Sequence, residues 1–208
     1  MSERYASLLL FGSPGVGKGT QGHLLGCIPG LHHLATGDMF RGLNKASELG
    51  QRFLEYSSKG LLVPDDLTVE LWKQHVANLV ASGVYHPDRD LLVLDGIPRS
   101  ITQAEALDDL IEVVGIVHLE APNLDILIER MKRRADEQGR HDDADEAVVR
   151  HRFEVYEAET RPVLAFYPTN LVSSVSAMGP PVDVLHRVLG VVAPLYMDRF
   201  KNPLKRVG

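Results

Sequence analysis

The chain is 208 residues long, 44% hydrophobic and 24% charged, with a formal net charge of −6. Such a composition buries a core without covalent staples, and its negative balance argues against a general nucleic-acid binder, whose contact face should be basic. The one cysteine, Cys27, excludes an intrachain disulfide framework, and no apolar run reaches signal-peptide or membrane-span length, so a cytoplasmic protein is expected.

In chain order, the apolar run Ser7 to Phe11 reads as a strand, followed by GSPGVGKGT from Gly12 to Thr20 and by the helix-compatible Gln21 to Leu25. Strand, glycine loop and helix in that order are the setting of a phosphate-binding loop. The glycines let consecutive N–H groups turn inward onto an anion, the helix adds its positive end, and Lys18 supplies a point charge for the outer phosphates. The usual string places Ser or Thr directly after the lysine; here Gly19 intervenes, and the role beside Mg²⁺ passes to Thr20. An ordinary glycine-rich turn is the competing reading, and its context disfavours it.

Gly26, Pro29 and Gly30 cut the first helix short, a brief strand covers His32 to Leu34, and Thr36 is expected to cap a helix carrying Arg41. Ser47 starts another helix that Gly60 can stop in a left-handed cap. Pro64-Asp65-Asp66 opens a long amphipathic helix with Leu67, Leu71, His75, Asn78 and Leu79 along one side and Trp72, Val76 and Val80 adjoining. Gly83 to Asp90 is a loop. Leu91 to Leu94 has no alternation, as in a strand buried on both faces of a parallel sheet, and it ends in Asp95-Gly96-Ile97-Pro98-Arg99.

A helix from Ser100 to near Ile111, a strand from Val113 to Leu119 and a helix from Pro122 to near Arg134 follow. The polar Ala135 to Asp145 reads as an exposed loop. A helix from near Glu146 to Phe166, a strand from Asn170 to Ser174 and a helix from Pro180 or Pro181 complete the order; the basic tail, Met197 to Gly208, is assigned no function. The adjacent His32 and His33 point opposite ways on a strand and read as packing rather than as a metal site. Strands alternating with helices imply a doubly wound parallel sheet with ligands at the carboxyl ends of its strands. The all-helical Gly42 to Leu79 and the loop near Gly139 look like excursions from it.

Asp95 directly follows a buried strand, where a carboxylate can hold Mg²⁺ or its waters beside a triphosphate. Seven of the 22 Lys and Arg residues lie between Arg130 and Arg152, and Arg41 and Arg99 stand at the ends of elements. A solvated helix face explains part of that crowding, but one triphosphate is already served by the loop, Lys18 and Mg²⁺. The additional arginines point to a second phosphate and to a transition state with charge spread over both. The sequence offers no nucleophile–base pair. Transfer between two phosphates needs none, because the attacking oxygen is already anionic.

From about Leu8 to Leu189 the chain resembles the adenylate kinase family of nucleoside monophosphate kinases, on GSPGVGKGTQ, ATGDMFR, SELG, KGLLVPDDL, LDGIPRSITQ and the arginines around GRHDD, in this order and spacing. The resemblance implies an α/β fold: a P-loop, three-layer, doubly wound parallel sheet with a helical monophosphate-binding insertion and a short lid. It implies one domain over 1–208, with core 1–35, 80–134 and 146–196, insertion 36–79, lid 135–145 and tail 197–208. The activity implied is reversible, Mg²⁺-dependent transfer from ATP to AMP giving two ADP, in a monomer.

Carried over position by position, Gly15, Val16, Gly17, Lys18, Gly19 and Thr20 cradle ATP, with Arg130, Arg134 and Gly179 on the same side. Thr36, Arg41, Leu61, Leu62, Val63, Gly96, Ile97, Pro98, Arg99 and Gln103 form the AMP pocket, with Gln103 reading the adenine edge. Arg140 and Arg152 reach the transferring phosphates, making Lys18, Arg99, Arg134, Arg140 and Arg152 the catalytic set. Thr20, Asp95 and, more distantly, Asp38 organise the waters of Mg²⁺. The lid lacks zinc cysteines, so no structural zinc is expected, and the Ile97–Pro98 peptide is expected to be cis.

Departures from the family pattern leave choices open. Ile97 replaces the usual Phe or Tyr, an extra residue between Arg140 and Arg152 makes Arg150 a fallback for Arg152, and Gly179-Pro180 leave ATP and GTP both open as donors. A pyrimidine monophosphate kinase of the same fold is the near alternative, disfavoured by Thr36 and Ser100. A non-catalytic nucleotide-binding module is the distant one.

Overall fold

The computed structural model describes residues 4–138 and 145–199. Among them five strands form one parallel sheet in the order β2-β3-β1-β4-β5. β1 (Tyr5–Phe11) is central, with β3 (Leu91–Asp95) and β4 (Ile111–Glu120) beside it and β2 (Leu31–Ala35) and β5 (Val172–Ser176) at the edges. The connection from β1 passes over β3 to the edge strand β2, returns to β3, and then crosses to the other side of β1 at β4. That reversal opens a crevice at the carboxyl end of β1, where ligands of such sheets bind.

Alternation along the strands separates two cores. Leu8, Leu10, Leu91 and Val93 pack on one face; Leu9, Phe11, Leu92 and Leu94 pack on the other. All eight are 3% exposed or less, which is why Leu91 to Leu94 shows no polar alternation. α1 (Lys18–Gly26), α6 (Leu124–Gln138), α7 (Glu146–Val155) and α8 (Pro181–Arg199) supply the first layer, and α4 (Asp65–Ala81) and α5 (Ile101–Asp108) supply the second. α2 (Thr36–Arg41) and α3 (Glu48–Ser57) stand off the sheet and lead into α4.

The element order agrees with the sequence reading, and several local details differ. Thr36 does not cap α2: Ala35 holds that position, and the Thr36 hydroxyl donates to the Gly96 carbonyl at 2.9 Å. On α4 the buried stripe is Val69, Trp72 and Val76, while Asn78 and Val80 are exposed, so the inward face is rotated toward Trp72. The largest apolar group sets which face turns in.

The helix from Glu146 to Phe166 changes winding twice, to a π turn at Tyr156–Thr160 and a 3₁₀ stretch at Arg161–Phe166. Pro162 has no N–H and its ring crowds the preceding turn, which widens until the Arg161 N–H reaches the Tyr156 carbonyl. α6 runs on through Gln138, so the first residues of the expected lid, from Ala135, are helical. Residues 139–144 lie outside the described residues. The tail boundary at Met197 also moves, because α8 continues to Arg199. Ser47 caps α3 by accepting from the Gly50 N–H at 3.1 Å.

Candidate active site

β1 delivers the chain into the glycine loop at the crevice. Gly15 has φ +73, and a Cβ there would stand 2.8 Å from the Leu127 carbonyl oxygen, so only glycine fits. Gly17, at φ +108, turns the chain into α1, whose first intrahelical bond comes from the Gln21 N–H. The N–H groups before it lack intrahelical partners and form a positive helix end at the loop. Lys18, first on α1, folds back over the loop and donates to the Gly12 and Ser13 carbonyls at 2.6 and 3.1 Å. Val16 is 2% exposed and packs in the core, so it offers the loop only its backbone; Gly19 and Thr20 are exposed.

Asp95 ends β3 with its side chain 13% exposed, and its Oδ2 would lie 3.5 Å from a Cβ on Gly19. Burial alone would push this carboxyl up, but the His33 imidazole, 3.9 Å away, and the charges of Lys18 and Arg99 hold it below its ordinary value. It therefore stays ionised beside the loop. His32 turns the other way and its ring packs at a tilt against Tyr85, with centroids 5.6 Å apart, so the adjacent histidines diverge as strand geometry requires.

From the loop a cleft open to solvent extends under α2 and α3. Lys18, Thr36, Arg41, Leu61 to Val63, Gly96, Pro98, Arg99, Gln103 and Arg152 all line it. The Gly96 carbonyl joins two of them, accepting from Thr36 and from Arg99 Nε at 2.8 Å. The Arg99 carbonyl accepts from Thr160 Oγ1 at 2.9 Å. Ile97 departs from expectation: it is 2% exposed and packs in the core beneath the cleft, so it presents no side chain to a ligand. The Ile97–Pro98 peptide is cis.

The cations crowd one another. Burial lowers the Lys18 ammonium from 10.5 to about 8; the attraction of Asp95 opposes this, and Arg99, Arg152 and Arg134 add to it by repulsion. Burial lowers Arg99 from 12.5 to about 10, with further repulsion from Arg152 and Arg41 against the attraction of Asp95. Positive groups from α1, α2, α7 and the β3–α5 turn thus line one cavity in which the charged forms are costly until an anion enters.

Arg150 and Arg152 point in different directions. Arg150 turns outward to Glu146, at 2.8 Å, which also accepts from Lys132. Arg152 faces the cleft. Arg130 donates to the Ala177 carbonyl at 3.3 Å, and Arg187 donates to the Ser176 and Met178 carbonyls, bracing the turn that holds Gly179 from two sides. Asp38 is exposed and pairs with Arg41 at 2.5 Å rather than turning toward Asp95. Arg140 lies outside the described residues.

Several residues of the cleft carry no local sequence signal. Phe40 and Phe53 stack with centroids 5.0 Å apart and planes 3° apart in its wall. Tyr156 lines it with its hydroxyl 3.3 Å from His118 Nε2, and Thr160 braces it from α7's continuation. Phe40 lies inside ATGDMFR, where nothing local marks it as part of a wall.

No helix among the described residues is long and apolar enough to cross a membrane. None of their His, Cys, Asp or Glu side chains group in threes that could enclose a metal ion. A family profile described as adenylate kinase matches residues 10–172. An adenylate kinase of Bifidobacterium longum is 39% identical over 189 residues, 88% of this chain and 97% of that protein. One from Thermus thermophilus is 36% identical over 189 residues, covering 88% and 94%, and one from Porphyromonas gingivalis is 35% identical over 203 residues, covering 94% and 97%.

Proposed function

The chain belongs to the adenylate kinase family and is a nucleoside monophosphate kinase, and we propose that it transfers the γ-phosphoryl group of ATP to AMP, reversibly, giving two ADP. The observation that carries this reading is the gathering of Lys18, Arg99 and Arg152 between the glycine loop and the aromatic-walled end of one cleft. Two polyanions meeting end to end need neutralising charge at their junction, and the junction is where these groups repel one another in the free protein.

In this reading the loop from Gly15 to Thr20 and the start of α1 hold the ATP phosphates, with Arg130, Arg134 and Gly179 on that side. Residues 36–79 form the unit that holds AMP. Thr36, Arg41, Leu61 to Val63, Gly96 to Arg99 and Gln103 surround it there, Ile97 through its backbone. Lys18, Arg99, Arg134, Arg140 and Arg152 steady the charge on the transferring group. The AMP phosphate oxygen is already anionic and attacks in line without a protein base. Closure of the lid and of the unit that holds AMP would exclude water as a competing acceptor.

Mg²⁺ fits the donor set, because it is commonly held by one or two carboxylates together with substrate phosphates and waters rather than by a protein cage. Asp95 beside Gly19 and the exposed Thr20 hydroxyl would hold its waters, with Asp38 a remoter member. When bound, the ion neutralises developing charge on the phosphates. In this reading it works in the cytoplasm as a monomer.

A coupled steady-state assay with ATP and Mg²⁺ compares AMP, CMP and UMP as acceptors. AMP should give the highest kcat/KM. Faster turnover of either pyrimidine would replace this reading by a pyrimidine monophosphate kinase, and no transfer to any acceptor would leave a non-catalytic module.

A further inference from the structure

Gln103 is 1% exposed, and its side-chain amide is held at both ends. Nε2 donates to Asp65 Oδ1 at 2.7 Å, and Oε1 accepts the Arg99 backbone N–H at 2.7 Å. Asp65, in the first turn of α4, accepts through Oδ2 from Ser100 Oγ at 2.8 Å. Ser100 Oγ in turn accepts the Gln103 backbone N–H at 3.0 Å. An ionised carboxylate only accepts and a backbone N–H only donates, so the amide has one permitted polarity. Turned over, it would set its oxygen against the carboxylate and its NH₂ against the N–H. Each end keeps one unused site, so Gln103 offers the cleft one donor and one acceptor in fixed order.

We propose that Asp65 is a specificity-setting residue that acts through Gln103 by fixing the order in which that amide presents its acceptor and donor. The inference rests on the proposed kinase reading, in which the acceptor base meets Gln103. The fixed order selects a base with an amino group opposite Oε1 and a ring nitrogen acceptor opposite Nε2. Adenine offers this through N6 and N1, and cytosine through N4 and N3. Guanine and uracil offer the reverse, a carbonyl oxygen and a ring N–H. Asp65 thus separates amino bases from oxo bases, and the separation of adenine from cytosine falls to pocket size. This predicts a divided outcome that no purely structural role of Asp65 would produce.

Asp65→Asn keeps the size of the side chain but can accept or donate, so it tolerates Gln103 in either order. Asp65→Ala removes the partner altogether. Steady-state kinetics on the full chain with ATP and Mg²⁺ would compare AMP, CMP, GMP and UMP for wild type and both variants. A hydrogen bond to a charged group carries roughly a ten- to hundredfold effect. The AMP:GMP and AMP:UMP ratios of kcat/KM should therefore fall by about tenfold in both variants. The AMP:CMP ratio and the KM for ATP should stay within about twofold of wild type.

Unchanged AMP:GMP and AMP:UMP ratios in a folded Asp65→Asn chain would overturn the proposal, as would an equal fall in all three ratios. If Asp65→Ala does not fold, Asp65→Asn decides alone. A wild type that prefers CMP sinks the adenine reading but not the role of Asp65, whereas one that prefers UMP or GMP sinks both. If no acceptor is turned over, the kinase reading fails by itself, and the same ratios read from calorimetric mononucleotide binding still test Asp65.

Discussion

The two ends of the cleft are built in opposite ways. The end proposed to take the donor comes largely from one unbroken stretch, Gly12 to Thr20, closed by Asp95 from the neighbouring strand. The end proposed to take the acceptor is assembled from pieces far apart in the chain: Thr36 and Phe40 on α2, Phe53 on α3, Leu61 to Val63 before α4, Arg99 and Gln103 at α5, and Arg152 on α7. A contiguous loop uses backbone N–H groups, which every residue carries, so it recognises phosphate whatever is attached to it. A dispersed pocket must use particular side chains, and those are what can tell one acceptor from another.

Removing charge where the two ends meet should have the largest effect. Arg99→Ala and Lys18→Ala are expected to lower kcat by about a thousandfold or more, read by steady-state assay, because each removes a cation from the transition state. Near-normal turnover in Arg99→Ala would erase the distinction between a junction and its two flanks.

The second test separates neighbours on α7. Arg152→Ala should lower kcat by about a hundredfold, while Arg150→Ala, whose partner is the exposed Glu146, should stay within about twofold. The reverse order would put the cleft on the wrong face of the helix.

Phe53→Ala sharpens the contrast between the two ends. A stacked aromatic pair is worth about 1 kcal/mol beyond its burial, so the KM for AMP should rise about five- to tenfold with the KM for ATP unchanged. Equal rises in both would mean that the aromatic wall is not confined to the acceptor end.

The smallest effect is pH-dependent and belongs to the donor end. Lys18 in the free protein loses its proton near pH 8 rather than 10.5, and bound phosphate favours the ammonium and raises that value. Nucleotide binding therefore takes up a proton above pH 8. ATP affinity should be flat below that point and fall by up to about tenfold over the next one to two pH units. Calorimetry at pH 8.5 in buffers of different ionisation enthalpy would show the uptake, and Lys18→Met would abolish it.

The same contrast explains what was legible in the sequence. The glycine loop, the buried strand before Asp95, the cap at Ser47 and the parallel sheet are written in local spacing, where hydrophobic period and turn chemistry suffice. Arg41 and Arg99 stand out by their places at the ends of elements, Gln103 becomes a candidate through family resemblance, and Arg152 only jointly with Arg150. Two positions apart on a helix they point in different directions, and an inserted residue upstream blurs which is which. Phe53 reaches the cleft, and Asp65 reaches Gln103, only because α3 and α4 fold back over the sheet, a tertiary event with no local signature. Ile97 shows the converse, a motif position whose side chain turns into the core while its backbone stays in the turn. The winding change before Pro162 follows from a proline visible in the sequence, but its outcome depends on packing at Tyr156 and Thr160.

The central claim is that one cavity holds donor and acceptor together, phosphate toward phosphate. Calorimetric titration of AMP into protein already saturated with a non-hydrolysable ATP analogue and Mg²⁺ tests it directly. The account predicts that one further equivalent of AMP binds with the analogue still in place. Displacement of the analogue by AMP, with a total of one nucleotide bound, would contradict it.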